Sequence, residues 1–88
     1  TMPFYMENLY PNPTKGMIKI RFNSPDGRNI TIKLYDVCGR RVHREDITRS
    51  KIGVNEVLIK PEGLSAGVYF IRIDAAEYQY TDRFIILK

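Results

Sequence analysis

The chain has 88 residues, of which 43% are hydrophobic and 27% charged, with a formal net charge of +4. That length gives one domain whose core stands without a disulfide or metal staple, and the apolar share excludes wholesale disorder. Cys38 is the only cysteine, which excludes an intrachain disulfide and a thiolate metal site and weakly points to a reducing compartment.

Residues 1–7 lack the basic start and long apolar run of a secretory leader, and no apolar run approaches the ~20 residues of a membrane-crossing helix. Any export signal of that kind therefore lies elsewhere. The positive charge permits loose attraction to anionic surfaces without naming a partner.

In chain order, residues 1–10 are read as a link from an upstream domain plus a first strand, and residues 11–88 as the sandwich itself. Pro11-Asn12-Pro13 fixes φ twice and pushes Tyr10 and Asn12 toward extended geometry, the mark of a turn or stiff connector. Residues 17–23 alternate, with Ile18, Ile20 and Phe22 inward and Lys19, Arg21 and Asn23 outward, as in a half-buried strand. Ser24-Pro25-Asp26-Gly27-Arg28 is dense in turn formers and predicts a hairpin. The strand it leads into, residues 29–36, carries Ile30, Ile32 and Leu34 on its inner face.

Asp36-Val37-Cys38-Gly39 predicts a tight turn in which the Asp36 carboxylate accepts from amides ahead of it and Gly39 takes the left-handed position. Cys38 is a small turn residue or a partly buried thiol there, with no base partner to activate it. Residues 40–45 form a polar strand in which only Val42 clearly points inward, an edge defended by charge. Residues 46–53 lose all periodicity and read as a loop; residues 54–59 carry Val57 and Ile59 on one face before Pro61-Glu62-Gly63 breaks the strand.

Leu64-Ser65-Ala66-Gly67 then launches a strand with Tyr69, Ile71 and Ile73 on one face and Val68, Phe70 and Arg72 on the other. A strand apolar on both faces for its first half belongs inside a sheet rather than at a free edge. The last turn, around residues 74–77, lacks the glycine that suits a two-residue hairpin, and residues 78–87 form the final strand paired with the preceding one. Six or seven short strands, turn signals about every ten residues and no helical periodicity predict an all-β, immunoglobulin-like sandwich of mostly antiparallel strands without the Cys and Trp hallmarks of antibody domains.

No catalytic constellation emerges. His43, the single histidine, sits among arginines and reads as a solvated edge residue, and Ser50 and Ser65 lie in no nucleophile elbow. No glycine-rich phosphate loop is present and no cofactor is implied. Arg40, Arg41 and Arg44 are the densest basic cluster, and Lys19, Arg21 and Lys33 with Tyr35 are candidates for one basic sheet face, yet interspersed acids make ordinary solvation the expected role and nucleic acid a remote partner.

Three motifs taken together resemble a known family. Leu9-Tyr10-Pro11-Asn12-Pro13 precedes an Ile-x-Ile strand, Asp36-Val37-Cys38-Gly39-Arg40 follows Ile32-Lys33-Leu34-Tyr35, and Leu64-Ser65-Ala66-Gly67-Val68-Tyr69 precedes a closing strand. Their order and spacing from about Asn8 to Lys88 are similar to the C-terminal sorting domain of the Por (type IX) secretion system, of the immunoglobulin-like type A. The resemblance implies a non-catalytic, monomeric domain that sends an exported cargo, already in the periplasm, through an outer-membrane translocon. A sortase-like peptidase then commonly removes it, and the cargo is anchored at the cell surface or released. It also implies sorting-motif candidates: the Gly-x-Tyr element at Gly67 and Tyr69, the basic residue opening the last strand at Arg83, where lysine is more usual, and the terminal lysine at Lys88. Pro11, Asn12, Pro13, Asp36, Gly39 and Arg40 carry the structural part of the motif. The alternative is a non-catalytic accessory or spacer domain of a larger secreted hydrolase, with carbohydrate binding as a third class. The recognition surface is expected near the last hairpin, around Arg83 and Lys88.

Overall fold

Seven strands and no helix make up the computed structural model, which describes residues 3–87. The strands are β1 (Tyr5–Tyr10), β2 (Ile18–Ser24), β3 (Ile30–Tyr35), β4 (Arg41–Ile47), β5 (Gly53–Ile59), β6 (Gly67–Ala75) and β7 (Tyr78–Ile86). They form a three-stranded sheet in the order β1-β2-β5 and a four-stranded sheet in the order β4-β3-β6-β7, every neighbouring pair antiparallel. This is the expected immunoglobulin-like sandwich, with β4 added to the β3 side, whereas in the constant-type division the fourth strand joins the other sheet.

The alternation read from the sequence builds the core directly. Ile18, Ile20 and Phe22 of β2, Ile30, Ile32 and Leu34 of β3, Ile71 and Ile73 of β6, and Phe84 and Ile86 of β7 are all buried between the sheets. Burying one such side chain stabilises the fold by about 1.5–3 kcal/mol, so these faces set strand register: a slip by one residue would send each of them to solvent. At one end Phe4 stacks on Phe22 at 5.3 Å and tilts against Tyr78 at 4.8 Å, with the Arg28 guanidinium 5.8 Å over its ring.

Four local expectations are corrected. The 24–28 turn does not close a hairpin, because β2 and β3 lie in different sheets and the turn carries the chain across the sandwich. Asn23 is buried, its side-chain amide donating to the Pro3 carbonyl at 3.2 Å, so the segment before β1 covers the position that alternation would expose. In β4 a register shift beside Leu34 breaks strict alternation: Val42 packs on the core while His43 stands opposite inward-facing Leu34. His43 is consequently half-buried and bonded to Glu45 at 3.0 Å rather than solvated. Finally, Lys19 and Arg21 belong to the three-stranded sheet and Lys33 to the other, so they share no face.

The β6–β7 hairpin is the longest pairing, running from Gly67 opposite Ile86 to Ala75 opposite Tyr78. Its two connecting residues are Ala76 and Glu77, and Ala76 adopts φ +54° without being glycine. A left-handed conformation costs an L-residue with a Cβ roughly 1 kcal/mol. Ala76→Gly should therefore raise the unfolding free energy by about 0.5–1 kcal/mol in urea denaturation; an unchanged or lower value would show that the turn does not hold this strain.

Candidate functional site

The three sequence motifs lie far apart in the chain, yet strand direction brings them to one end of the sandwich. β1 ends there at Tyr10, β2 begins at Ile18, β3 ends at Tyr35, β6 begins at Gly67 and β7 ends at Ile86. The 36–40 turn and the 63–69 segment line a shared groove of about 350 Å³, and the 11–17 loop with the 60–64 loop lines a second of about 520 Å³; Gly63 and Leu64 belong to both.

Each motif has a local physical cause. The Asp36 carboxylate accepts from the Cys38 amide at 2.9 Å, the Arg40 amide at 3.0 Å and the Arg40 guanidinium at 2.8 Å, while the Gly39 amide donates to the Asp36 carbonyl at 3.0 Å. Gly39 takes φ +81°, the left-handed position that closes this turn. Those bonds, the Arg40 amide foremost, hold the Asp36 carboxyl below its ordinary pKa. Cys38 projects from the turn, exposed.

Gly67 opens β6 at φ +154°, where nothing lies within 4 Å of the space a Cβ would fill; backbone conformation rather than crowding requires glycine. Two residues on, Tyr69 is buried, stacked on Phe84 at 5.7 Å, and its hydroxyl donates to the Ser65 carbonyl at 2.7 Å. This bond ties strand β6 back to the loop that precedes it, the same device as the tyrosine corner of immunoglobulin-like sandwiches.

The proline loop completes the end. Asn12 accepts from the Ile85 amide at 3.0 Å and donates to the Arg83 carbonyl at 3.2 Å. Thr14 is buried and bridges in parallel to Ile86; its amide donates to the Ile85 carbonyl at 2.8 Å and its carbonyl accepts from the Leu87 amide at 2.7 Å. The loop thus acts as a short extra strand on the outer rim of β7. Pro11 and Pro13 stand exposed on either side of Asn12, and neither needs an amide partner.

Arg83 does not open the last strand: it lies in the second half of β7, exposed, opposite Phe70 on the outer face of the sheet. Its amide is capped by the Asp82 carboxylate at 2.7 Å, which also accepts from the Tyr80 hydroxyl at 2.8 Å; burial and that acceptor push the Tyr80 pKa up to about 12. Lys88 lies outside the described residues. The outward-facing backbone groups of β7 belong to alternate residues, Arg83, Ile85 and Leu87 at the held end, and Gln79 and Thr81 continue that series with no hydrogen bond from another element among the described residues. This bordering loop was missed from sequence, where the prolines marked only a connector; an Asx side chain between two prolines was the signal.

A family model, the secretion system C-terminal sorting domain, matches residues 8–87. The chain belongs to that family. Among curated proteins no match was found. The sorting domain's function is to act as the C-terminal sorting signal of type IX secretion, and the accessory-spacer alternative is not favoured. Membership entails interaction with the type IX machinery and a cargo, and an exported fate at the cell surface or in the medium. The family is one of sorting signals, not of catalysts. Among the described residues no helix is long and apolar enough to cross a membrane, and no cluster of three metal-ligating side chains occurs.

Since the folded Asp36 pKa is depressed, its contribution to the turn is fully present above the ordinary carboxylate range near ~3.9 and is lost as pH falls through the lower folded value. Carboxyl-carbon NMR should place the Asp36 midpoint below the ordinary aspartate value, with the Cys38 and Arg40 amides losing protection at the same pH. A midpoint at or above the ordinary value would contradict the turn geometry.

Proposed function

We propose that the sorting signal is read on the final strand and the 11–14 loop that borders it, with Arg83 as the exposed basic contact, and that its receptor is the outer-membrane translocon. The observation that carries this reading is the uneven rim of β7. From the Arg83 carbonyl to the Leu87 amide its outward backbone groups are occupied by Asn12 and Thr14, and the Arg83 amide by its neighbour Asp82, whereas Gln79 and Thr81 leave theirs open beside the exposed Arg83 side chain. An edge of this kind offers amide and carbonyl groups to an added strand.

In this reading Gly67, Tyr69, Asp36, Gly39 and Arg40 build the end of the sandwich rather than contact the receptor. Tyr69 is 5% exposed, and the Asp36 carboxylate is committed to its own turn. Residues 1–10 provide the first strand and the link to the cargo, which reaches the translocon from the periplasm. A sortase-like peptidase then acts in that link, and the domain itself is a monomer without catalytic activity.

The test is delivery of a reporter fused to residues 1–88 in a type IX-competent cell. Arg83→Glu, at an exposed position, should leave the melting temperature within a few degrees of the parent while surface reporter falls more than tenfold. Undiminished delivery would move recognition off this strand. Loss of delivery together with loss of folding would be answered by Arg83→Lys, which keeps the charge and should restore both.

A further inference from the structure

Asp82 breaks the alternation of β7 at the point where the fold leaves backbone groups open. It stands opposite the fully buried Ile71, so it shares the parity of the core-facing Tyr80, Phe84 and Ile86, yet its side chain is exposed. A carboxylate in an inward position on an edge strand turns to the rim instead of entering the core. One of its oxygens accepts from the Arg83 amide at 2.7 Å and the other from the Tyr80 hydroxyl at 2.8 Å. The first bond closes the amide that separates the held part of the edge from the open part.

That open part is a window with two fixed ends. At one end the Tyr78 hydroxyl accepts from the Met6 amide at 3.2 Å, just after the β6–β7 turn, and at the other the Asn12 side chain donates to the Arg83 carbonyl at 3.2 Å. Between them the outward amides and carbonyls of Gln79 and Thr81 have no hydrogen bond from another element among the described residues. Residues 78–82 span about 16 Å of strand, and donors and acceptors repeating at that pitch match the backbone of one short added strand.

An antiparallel strand, the stabler arrangement, would bond Gln79 and Thr81 and set one of its own residues directly opposite Asp82. The backbone groups of Asp82 point to β6, so this is a non-hydrogen-bonded pair, the kind in which side chains come closest. Asp82 is bonded to neutral donors alone, with no cation within ion-pair distance among the described residues, and each of its oxygens keeps a further acceptor site. An apolar residue placed there would cover an unpaired carboxylate and an acid would repel it, whereas lysine or arginine would neutralise it.

We propose that Asp82 is the specificity-determining residue of this edge. It latches the Arg83 amide until a strand with lysine or arginine opposite it draws the carboxylate away, and the freed amide then donates to a carbonyl of that strand. The preferred occupant is thus a short cationic strand. Its assignment to the translocon rests on the reading of β7 as the recognition edge; the preference itself does not.

The experiment uses the purified 88-residue chain and acetylated, amidated heptapeptides of alternating threonine and valine with lysine, glutamine or glutamate at the centre. In amide NMR titrations the lysine peptide should shift Gln79, Thr81 and Arg83 saturably and bind about fivefold more tightly than the glutamine peptide, with the glutamate peptide weaker still. Methylating the two peptide amides that flank the lysine keeps its charge, removes its donors to the rim and should abolish binding. Asp82→Asn should erase the preference for lysine with the rest of the spectrum unchanged; Asp82→Ser should do the same and replaces it if Asp82→Asn unfolds. No saturable shift at Gln79 and Thr81, equal affinity for the lysine and glutamate peptides, binding that survives methylation, or a lysine preference that persists in a folded variant would each overturn the proposal. A failed titration leaves the delivery test on Arg83 untouched, whereas undiminished delivery by Arg83→Glu removes the translocon as the source of the strand without altering the peptide result.

Discussion

The edge of β7 is finished by residues from the beginning of the chain. Two hydrogen bonds from the Asn12 side chain and two from the Thr14 backbone run to Arg83, Ile85 and Leu87, more than seventy residues away in sequence. Each is worth about 0.5–1.5 kcal/mol net, which is modest against the burial of Phe84 and Ile86 directly beneath. Their larger effect is geometric. Without them the strand that carries two core side chains would be a bare edge, free to fray and to pair along its whole length. With them, the two sheets are joined at one end and the open part of the edge is confined to the stretch before Arg83.

That constraint gives the scattered motifs a common purpose. The Asp36 turn connects β3 to β4, the Tyr69 bond ties β6 to its preceding loop, and the proline loop borders β7, all at the same end of the sandwich. Most of what marks the family in sequence is accordingly architecture: a carboxylate saturated by its own turn, a glycine held at positive φ, a buried tyrosine hydroxyl with a backbone partner. The groups the architecture does not use are the Arg83 side chain, the rim beside it and the outer face of the larger sheet.

The strands and their inward faces were legible because alternation has a strict period of two: Ile18, Ile20 and Phe22, or Tyr69, Ile71 and Ile73, announce a half-buried strand without help from the rest of the chain. The Asp36 turn was legible for the same local reason. What sequence did not disclose depends on which sheet a strand joins. The 24–28 turn has the composition of a hairpin but crosses the sandwich, since turn residues encode reversal and not the partner. Local strand breaks hid His43, whose inward position follows from a register shift beside Leu34. The role of Asn12 was invisible because its partners lie at the other end of the chain. The position of Asp82 was invisible for a like reason, since only strand order shows that β7 is an edge.

Amide hydrogen exchange along β7 measures the central claim directly, since it reads each rim group separately. The Ile85 and Leu87 amides, bonded to Asn12 and Thr14, should exchange as slowly as the inward-bonded amides of Phe84 and Ile86, while Gln79 and Thr81, which alternate with them on the same rim, should exchange at rates near those of exposed loops. Fast exchange at Ile85 and Leu87, or equal protection at Gln79 and Thr81, would contradict an edge that is held at one end and open at the other.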